Sequence, residues 1–141
     1  MEIINKKARF DYFVLEELEA GIALVGTEIK SVRKGSVDLK DSFVHIKKGE
    51  AVLTNAYIAK YEEGNQFNHD ERRSRKLLLH KKEIKKLEEK IKLEGLTLIP
   101  LKMYFKGSYV KVLVGVCKGK KLYDKRETIK ERDLKRANNM F

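Results

Sequence analysis

The sequence predicts a mainly β fold: a small antiparallel barrel of about six strands with two to three helices on its surface. Three observations lead there. Val110, Val112, Val114 and Val116 alternate without a break, the period of a strand with one buried face. Short β-rich runs are joined by tight turns at Lys48-Gly49 and Gly107-Ser108. Helical periods do not alternate with strands, as a parallel βαβ sheet would require. At 141 residues the chain has the length of a single domain.

Residues 10–18 (FDYFVLEEL) and 20–25 (AGIALV) read as strands, with Gly21 as a bend or bulge between them. The period changes in GTEIKSVRKG, where Thr27 is placed to cap a short helix, Ile29 and Val32 share a face, and Gly35 stops it. Residues 42–47 and 50–58 form a strand pair, with Phe43, Val44, Ile46, Val52 and Leu53 as core candidates. Residues 61–75 are a polar loop without periodicity, followed by the buried run KLLL. Over residues 80–94, Ile84, Leu87 and Ile91 mark one face of an amphipathic helix closed by Gly95. Residues 96–105 and 109–117 make the clearest hairpin, in which Pro100 lacks a donor N–H and so requires an edge strand or a bulge. Short antiparallel strands with short connections fit an OB-like barrel best.

The C-terminal segment differs. Asp124 and Glu127 resemble a capping box, but Ile129 and Leu134 make no apolar stripe that could pack on a barrel. The chain therefore divides into a barrel domain over 1–117 and a basic tail over 118–141, disordered when free and helical when bound.

The chain carries 32 Lys and Arg against 21 Asp and Glu, a net charge of +11. Residues 1–60 contribute +1 of this and residues 61–141 contribute +10, with +5 inside residues 118–136. Charge concentrated in this way points to a polyanion, and nucleic acid fits better than a membrane surface, because no Lys/Arg-faced helix carries a Trp/Phe/Leu face opposite. The single cysteine, Cys117, excludes an internal disulfide framework and fits a reducing cytoplasm. It ends a valine-rich strand and reads as a buried apolar side chain, not a nucleophile. No phosphate-cradling GxxxxGK[ST], GxGxxG, HExxH or GxSxG motif is present. His45, His69 and His80 are dispersed, and no metal or cofactor is expected.

The candidate binding residues are polar groups set among basic and aromatic ones. Asn5, Lys6, Lys7 and Arg9 stand beside Phe10 and Tyr12, a mixture suited to phosphates and exposed bases. Glu19 and Glu28 could accept hydrogen bonds from base amino groups or ribose hydroxyls, or pair with Lys30 or Arg33. Arg73, Arg75 and Lys76 precede three leucines, of which at least two belong to the core and one can lie against a base or ribose. A generic single-strand or rRNA-binding module shares these features, and a metal-dependent nuclease would need a site that nothing nominates.

Read together, NKKARFDYF (5–13), EAGIALVGTEIKSVRKG (19–35), DSFVHIKKGEAVL (41–53), NHDERRSRKLLLHKKEI (68–84), EGLTLIPLKMYF (94–105), GVCKGKKLYDKR (115–126) and IKERD (129–133) resemble the small protein B (SmpB) family. These are the tmRNA-binding proteins of bacterial trans-translation. The resemblance implies an OB-like barrel that binds the tRNA-like domain of tmRNA as a monomer in a one-to-one complex, in place of the missing anticodon arm. It implies entry into stalled ribosomes, with the tail in the empty mRNA channel near the small-subunit rRNA of the decoding centre. It further implies a cytoplasmic binding factor and not an enzyme. The family's tmRNA-contacting positions match Asn5, Glu19 and Leu78, with Glu28, Lys30 and Arg33 as supports. Its tail positions match Gly119, Lys120, Lys121, Asp124, Lys125 and Arg126, continuing through Lys130 and Arg132. Phe10 stands where the family often has His, which exchanges hydrogen bonding for stacking, and the tail ends early at ANNMF.

Overall fold

In the computed structural model, residues 2–63 and 68–120 are described. Of the expected tail, residues 121–141, including Lys121, Asp124, Lys125, Arg126, Lys130 and Arg132, lie outside the described residues, whereas Lys118 and Gly119 belong to the last strand of the sheet. Chain order is β1 (Glu2–Ile4), α1 (Ala8–Asp11), β2 (Tyr12–Ile22), α2 (Gly26–Arg33), β3 (Val37–Asp38), β4 (Phe43–Lys47), β5 (Glu50–Thr54), β6 (Tyr57–Ile58), β7 (Arg75–Leu78), α3 (Lys81–Glu94), β8 (Thr97–Lys106) and β9 (Tyr109–Gly119).

Six strands close a ring in the order β4-β5-β7-β2-β9-β8, and β8 returns to β4 through the pair Val44 and Leu98. All pairings are antiparallel. β1 adds to β8 beside this ring, and β3 and β6 form a separate two-stranded ribbon. The mainly β antiparallel barrel with three helices is the expected fold. No described helix is long and apolar enough to cross a membrane.

The ring interior is the main core. Val110, Val112, Val114 and Val116 all point into it, with Ala20, Leu53, Leu77, Leu98 and Met103 from the other strands and Leu87 from α3. A second, smaller cluster lies between α1 and the sheet, where Ala8 meets Ile99, Leu101 and Cys117. Strand β8 is thus buried on both faces near Pro100, which explains its unbroken apolar run. Gly115 makes this double packing possible, because a Cβ there would stand 3.0 Å from Leu101 and from the Cys117 sulfur. Burial pushes the Cys117 thiol up to about 11, so it packs as an apolar group.

Several expectations change. Residues 12–22 form one continuous strand, and its irregularity falls between Val14 and Glu16, not at Gly21. Of the two alternatives read for Pro100, the bulge is the one that forms, within a strand that also pairs β1 and β4 on its other side. Phe43 is 41% exposed, because strand parity sends Val44 and Ile46 inward and Phe43 outward. Strand β9 continues to Gly119, two residues past its expected end. Val25, not Thr27, is the N-cap of α2, while the Thr27 hydroxyl bonds His69 Nδ1 at 2.8 Å. The buried His69 also bonds the Ile58 carbonyl through Nε2, so the expected polar loop has an inward anchor. Two-residue turns do form as read, with positive φ at Lys48, Gly49 and Gly107, and Gly95 closes α3 in the left-handed region.

The helix α2 is tied to the barrel by charge. The Glu28 carboxylate, fully buried, accepts hydrogen bonds from Arg75 Nε at 2.5 Å, Arg73 Nη2 at 2.6 Å and the Val25 amide at 2.9 Å. Arg75, equally buried, also donates to the carbonyls of Ala56 and Glu71 at 2.6 and 3.1 Å. Burial alone would raise the Glu28 carboxyl, but the bonds from Arg73, Val25 and Arg75 more than offset this and hold it below its ordinary 4.5. Its stabilisation is therefore present above pH 4.5 and is lost as pH falls through the lowered folded-state value. Arg75→Met leaves a buried carboxylate short of a partner and should cost about 3–5 kcal/mol in urea unfolding. Glu28→Gln should also destabilise, and its stability should vary less below pH 4.5 than that of the parent chain.

Candidate nucleic-acid interface

Strand β7 alternates in register, so Arg75 and Leu77 point inward while Lys76 and Leu78 point outward. Leu78 is 55% exposed, whereas Leu77 is buried and Leu79 packs partly on the core. Its cross-strand partner on β2 is Gly21. With no side chain at Gly21, Leu78 lies directly over the β2 backbone, and a Cβ built on Gly21 would meet Leu78 Cβ at 3.2 Å. The glycine that the sequence marks as a bend is instead the seat of an exposed leucine.

Leu78 borders a groove of about 490 Å³ whose walls include Glu19, Lys76, Lys81 and Lys111. The sheet and the start of α3 thus bring three predicted residues, Glu19, Lys76 and Leu78, onto one face. Lys76 stands 3.3 Å from Glu50, an exposed pair that leaves its ammonium available to an incoming anion. Glu19 accepts a hydrogen bond from the Tyr104 hydroxyl, and Lys106 approaches it at 3.3 Å. These partners replace the expected Lys30 and Arg33. The Tyr104 bond, with Lys106 and Lys111 and against some burial, lowers the Glu19 carboxyl, so it is a carboxylate at neutral pH. Burial, followed by the facing Glu19 carboxylate, pushes Tyr104 up to about 12 and keeps its hydroxyl a donor. The groove offers an apolar side chain, a fixed anion and several ammonium groups, the mixture that reads a shaped RNA surface.

The other predicted residues occupy different places. Asn5 is buried, with its amide donating to the carbonyls of Pro100 at 2.9 Å and Leu39 at 3.2 Å, so it orients the N-terminal turn instead of facing solvent. Glu28 and Arg75 are likewise inside and support the wall without forming part of the surface. Lys6 and Lys7 are exposed beside Phe10, along a second groove of about 510 Å³ that also includes Lys40. Phe10 is 78% exposed. Arg9 pairs with Glu17 at 2.7 Å, and Lys120 returns to this turn, donating to the Arg9 carbonyl and lying over the Phe13 ring. Gly119 belongs to β9, opposite Tyr12. On α2, Lys30 lies over Tyr61 and Arg33 over Phe105.

The leucine groove and the N-terminal turn are at opposite ends of β2, about 26 Å apart for eight residues of strand. Lys111 reads from the sequence as an outward side chain, but its place in the groove, like that of Lys81, depends on pairings distant in sequence, as do the contacts of Tyr104 and Lys106 with Glu19. Among the described residues no group of three His, Cys, Asp or Glu side chains could hold a metal ion.

The SmpB protein family pattern matches residues 2–140. The SsrA-binding protein of Ligilactobacillus salivarius is 58% identical over 94% of this chain and 85% of its own length. That of Carboxydothermus hydrogenoformans is 57% identical over 94% of this chain and 89% of its own. Among solved structures, one described as "tmRNA-SmpB: a journey to the center of the bacterial ribosome" contains a chain 53% identical, with a TM-score of 0.71 and 84% of each chain covered. A match running almost end to end, in sequence and in fold, means that this chain belongs to the SmpB protein family.

Proposed function

We propose that this chain is the tmRNA-binding factor of trans-translation. It binds the tRNA-like domain of tmRNA in place of the missing anticodon arm and delivers tmRNA to stalled ribosomes, where incomplete proteins are tagged for degradation. The observation that carries this reading is the joining of Glu19, Lys76 and Leu78 in one groove of a chain whose relatives are SsrA-binding proteins. The likeness to a chain of a tmRNA-SmpB ribosome structure supports the ribosome as the second partner. The chain acts by binding and not by turnover, and it works in the cytoplasm, at the ribosome.

The groove supplies shape and the surrounding lysines supply charge. An exposed leucine lies against the face of a base or ribose, while a carboxylate accepts from amino or hydroxyl donors that phosphates alone cannot offer. Lys6, Lys7 and Arg9, with Lys30 and Arg33 on α2, add backbone attraction. The segment 118–141, with Lys120, Lys121, Asp124, Lys125, Arg126, Lys130 and Arg132, serves a separate contact in the empty mRNA channel at the decoding centre. Its described cations, Lys118 opposite Phe13 and Lys120 beside Arg9, already lie at the end of β2 opposite the groove. On this reading the barrel, whose last strand runs to Gly119, and the tail beyond it are two RNA-binding units on one chain.

Purification of the chain from cells should enrich tmRNA over bulk tRNA, and the complex should outlast tRNA competition at moderate salt. Equal affinity and equal salt dependence for tmRNA and a random RNA would overturn the reading. Leu78→Ala should weaken tmRNA binding roughly tenfold, as loss of a base or ribose contact does, with no loss of fold at an exposed site. Lys125→Ala combined with Arg126→Ala should leave tmRNA binding near the parent value while abolishing tagging on stalled ribosomes. Equal loss of both activities would contradict the division between barrel and tail.

A further inference from the structure

We propose that Tyr104 is a positioning residue of the tmRNA groove: its hydroxyl fixes the Glu19 carboxylate in the orientation that accepts hydrogen bonds from the RNA. This rests on the reading of Glu19 as an RNA-contacting group.

The geometry begins with strand register. Gly21, Lys111 and Tyr104 form one cross-strand row on β2, β9 and β8, and Glu19, Leu113 and Lys102 form the next. Glu19 and Tyr104 are therefore diagonal neighbours separated by β9. The Glu19 side chain reaches across that strand, and the Tyr104 hydroxyl donates to its Oε2. Glu19 lines the groove with Lys111 and Leu78, whereas Tyr104 does not. Tyr104 thus acts on the site through Glu19.

Tyr104 is itself held. The Lys102 ammonium lies 5.2 Å from its ring centroid and pairs with Glu2 on β1 at 3.4 Å. β1 is registered on β8 so that Glu2 stands opposite Tyr104. A short chain of contacts therefore runs from the first strand to the groove.

This arrangement answers a difficulty in placing an acid in an RNA site. A mobile carboxylate beside phosphates is repelled and turns away, and ordering it on binding costs side-chain entropy. Tyr104 orders it beforehand through one oxygen, and Lys106 approaches Oε1 at 3.3 Å, a long contact that an RNA donor can displace. Remaining lone pairs on both oxygens are open to amino or hydroxyl donors. A phenol suits the task because it adds no charge, so the carboxylate stays strongly accepting.

The test compares Tyr104→Phe, Glu19→Ala and the double variant by equilibrium binding to the tRNA-like domain of tmRNA and to a random RNA, with thermal unfolding in parallel. The phenyl ring preserves packing, so the melting temperature should be nearly unchanged. Tyr104→Phe should weaken binding to the tRNA-like domain roughly three- to tenfold, as the cost of ordering one side chain on binding does. It should leave random RNA unaffected and have no further effect in the Glu19→Ala background. Carbon-detected titration of the Glu19 carboxyl in the free protein should show its midpoint moving up toward the ordinary value in Tyr104→Phe. If Glu19→Ala weakens binding but Tyr104→Phe does not, or does so equally in both backgrounds, the positioning role is overturned while the groove reading stands. If Glu19→Ala itself binds like the parent, both fail.

Discussion

The buried pair between Glu28 and Arg75 is the constraint on which the rest of the structure depends. One carboxylate joins the N-terminus of α2 to the run Arg73–Arg75 that leads into β7, two pieces that are distant along the chain. Arg75 extends the same connection to the carbonyls of Ala56 and Glu71. Isolated charges in an apolar interior would be costly, and here nearly every polar atom of the pair is engaged. The pair also sets the parity of β7. With Arg75 directed inward, Lys76 and Leu78 must face outward, and the groove follows from that alternation.

Much of the fold was legible because its signals are local. The valine alternation of β9, the glycine turns at 49 and 107, and the apolar face of α3 each lie within about a dozen residues. What escaped the sequence depends on distant partners. Arg75 sits among basic residues and reads as surface, and only Glu28, 47 residues away, makes it a core residue. Asn5 reads as a polar contact, but it closes the N-terminal turn against Pro100 and Leu39. Phe43 reads as a core candidate because it belongs to the same apolar run as Val44 and Ile46, but strand parity turns it outward. The three-residue β1 is too short to show a period of its own and exists because β8 leaves an edge for it.

The candidate site divides along the same line. Leu78 was nominated as part of a leucine run, and register selected it as the exposed member. Glu19 stood out as an acid in a neutral stretch, but its partners on β8 could not be read from its neighbours. The two groups of basic residues, at either end of β2, are far enough apart for separate phosphates to engage them, about three Debye lengths at physiological salt. Charge that looks like a single excess in the composition is therefore distributed over surfaces that respond to salt independently.

The ring is closed unevenly. Where β2, β9 and β8 are paired along most of their lengths, β4 meets β8 only at Val44 and Leu98. A cylinder joined in this way has a seam, and local opening starts where the fewest ladder bonds must break. Amide protons at this seam are therefore expected to exchange with solvent sooner than those of the β2-β9-β8 wall, so that the barrel opens on one side while the wall holding Glu19 and Tyr104 stays shut. Such opening is then accommodated away from the wall that carries the proposed RNA contact at Glu19.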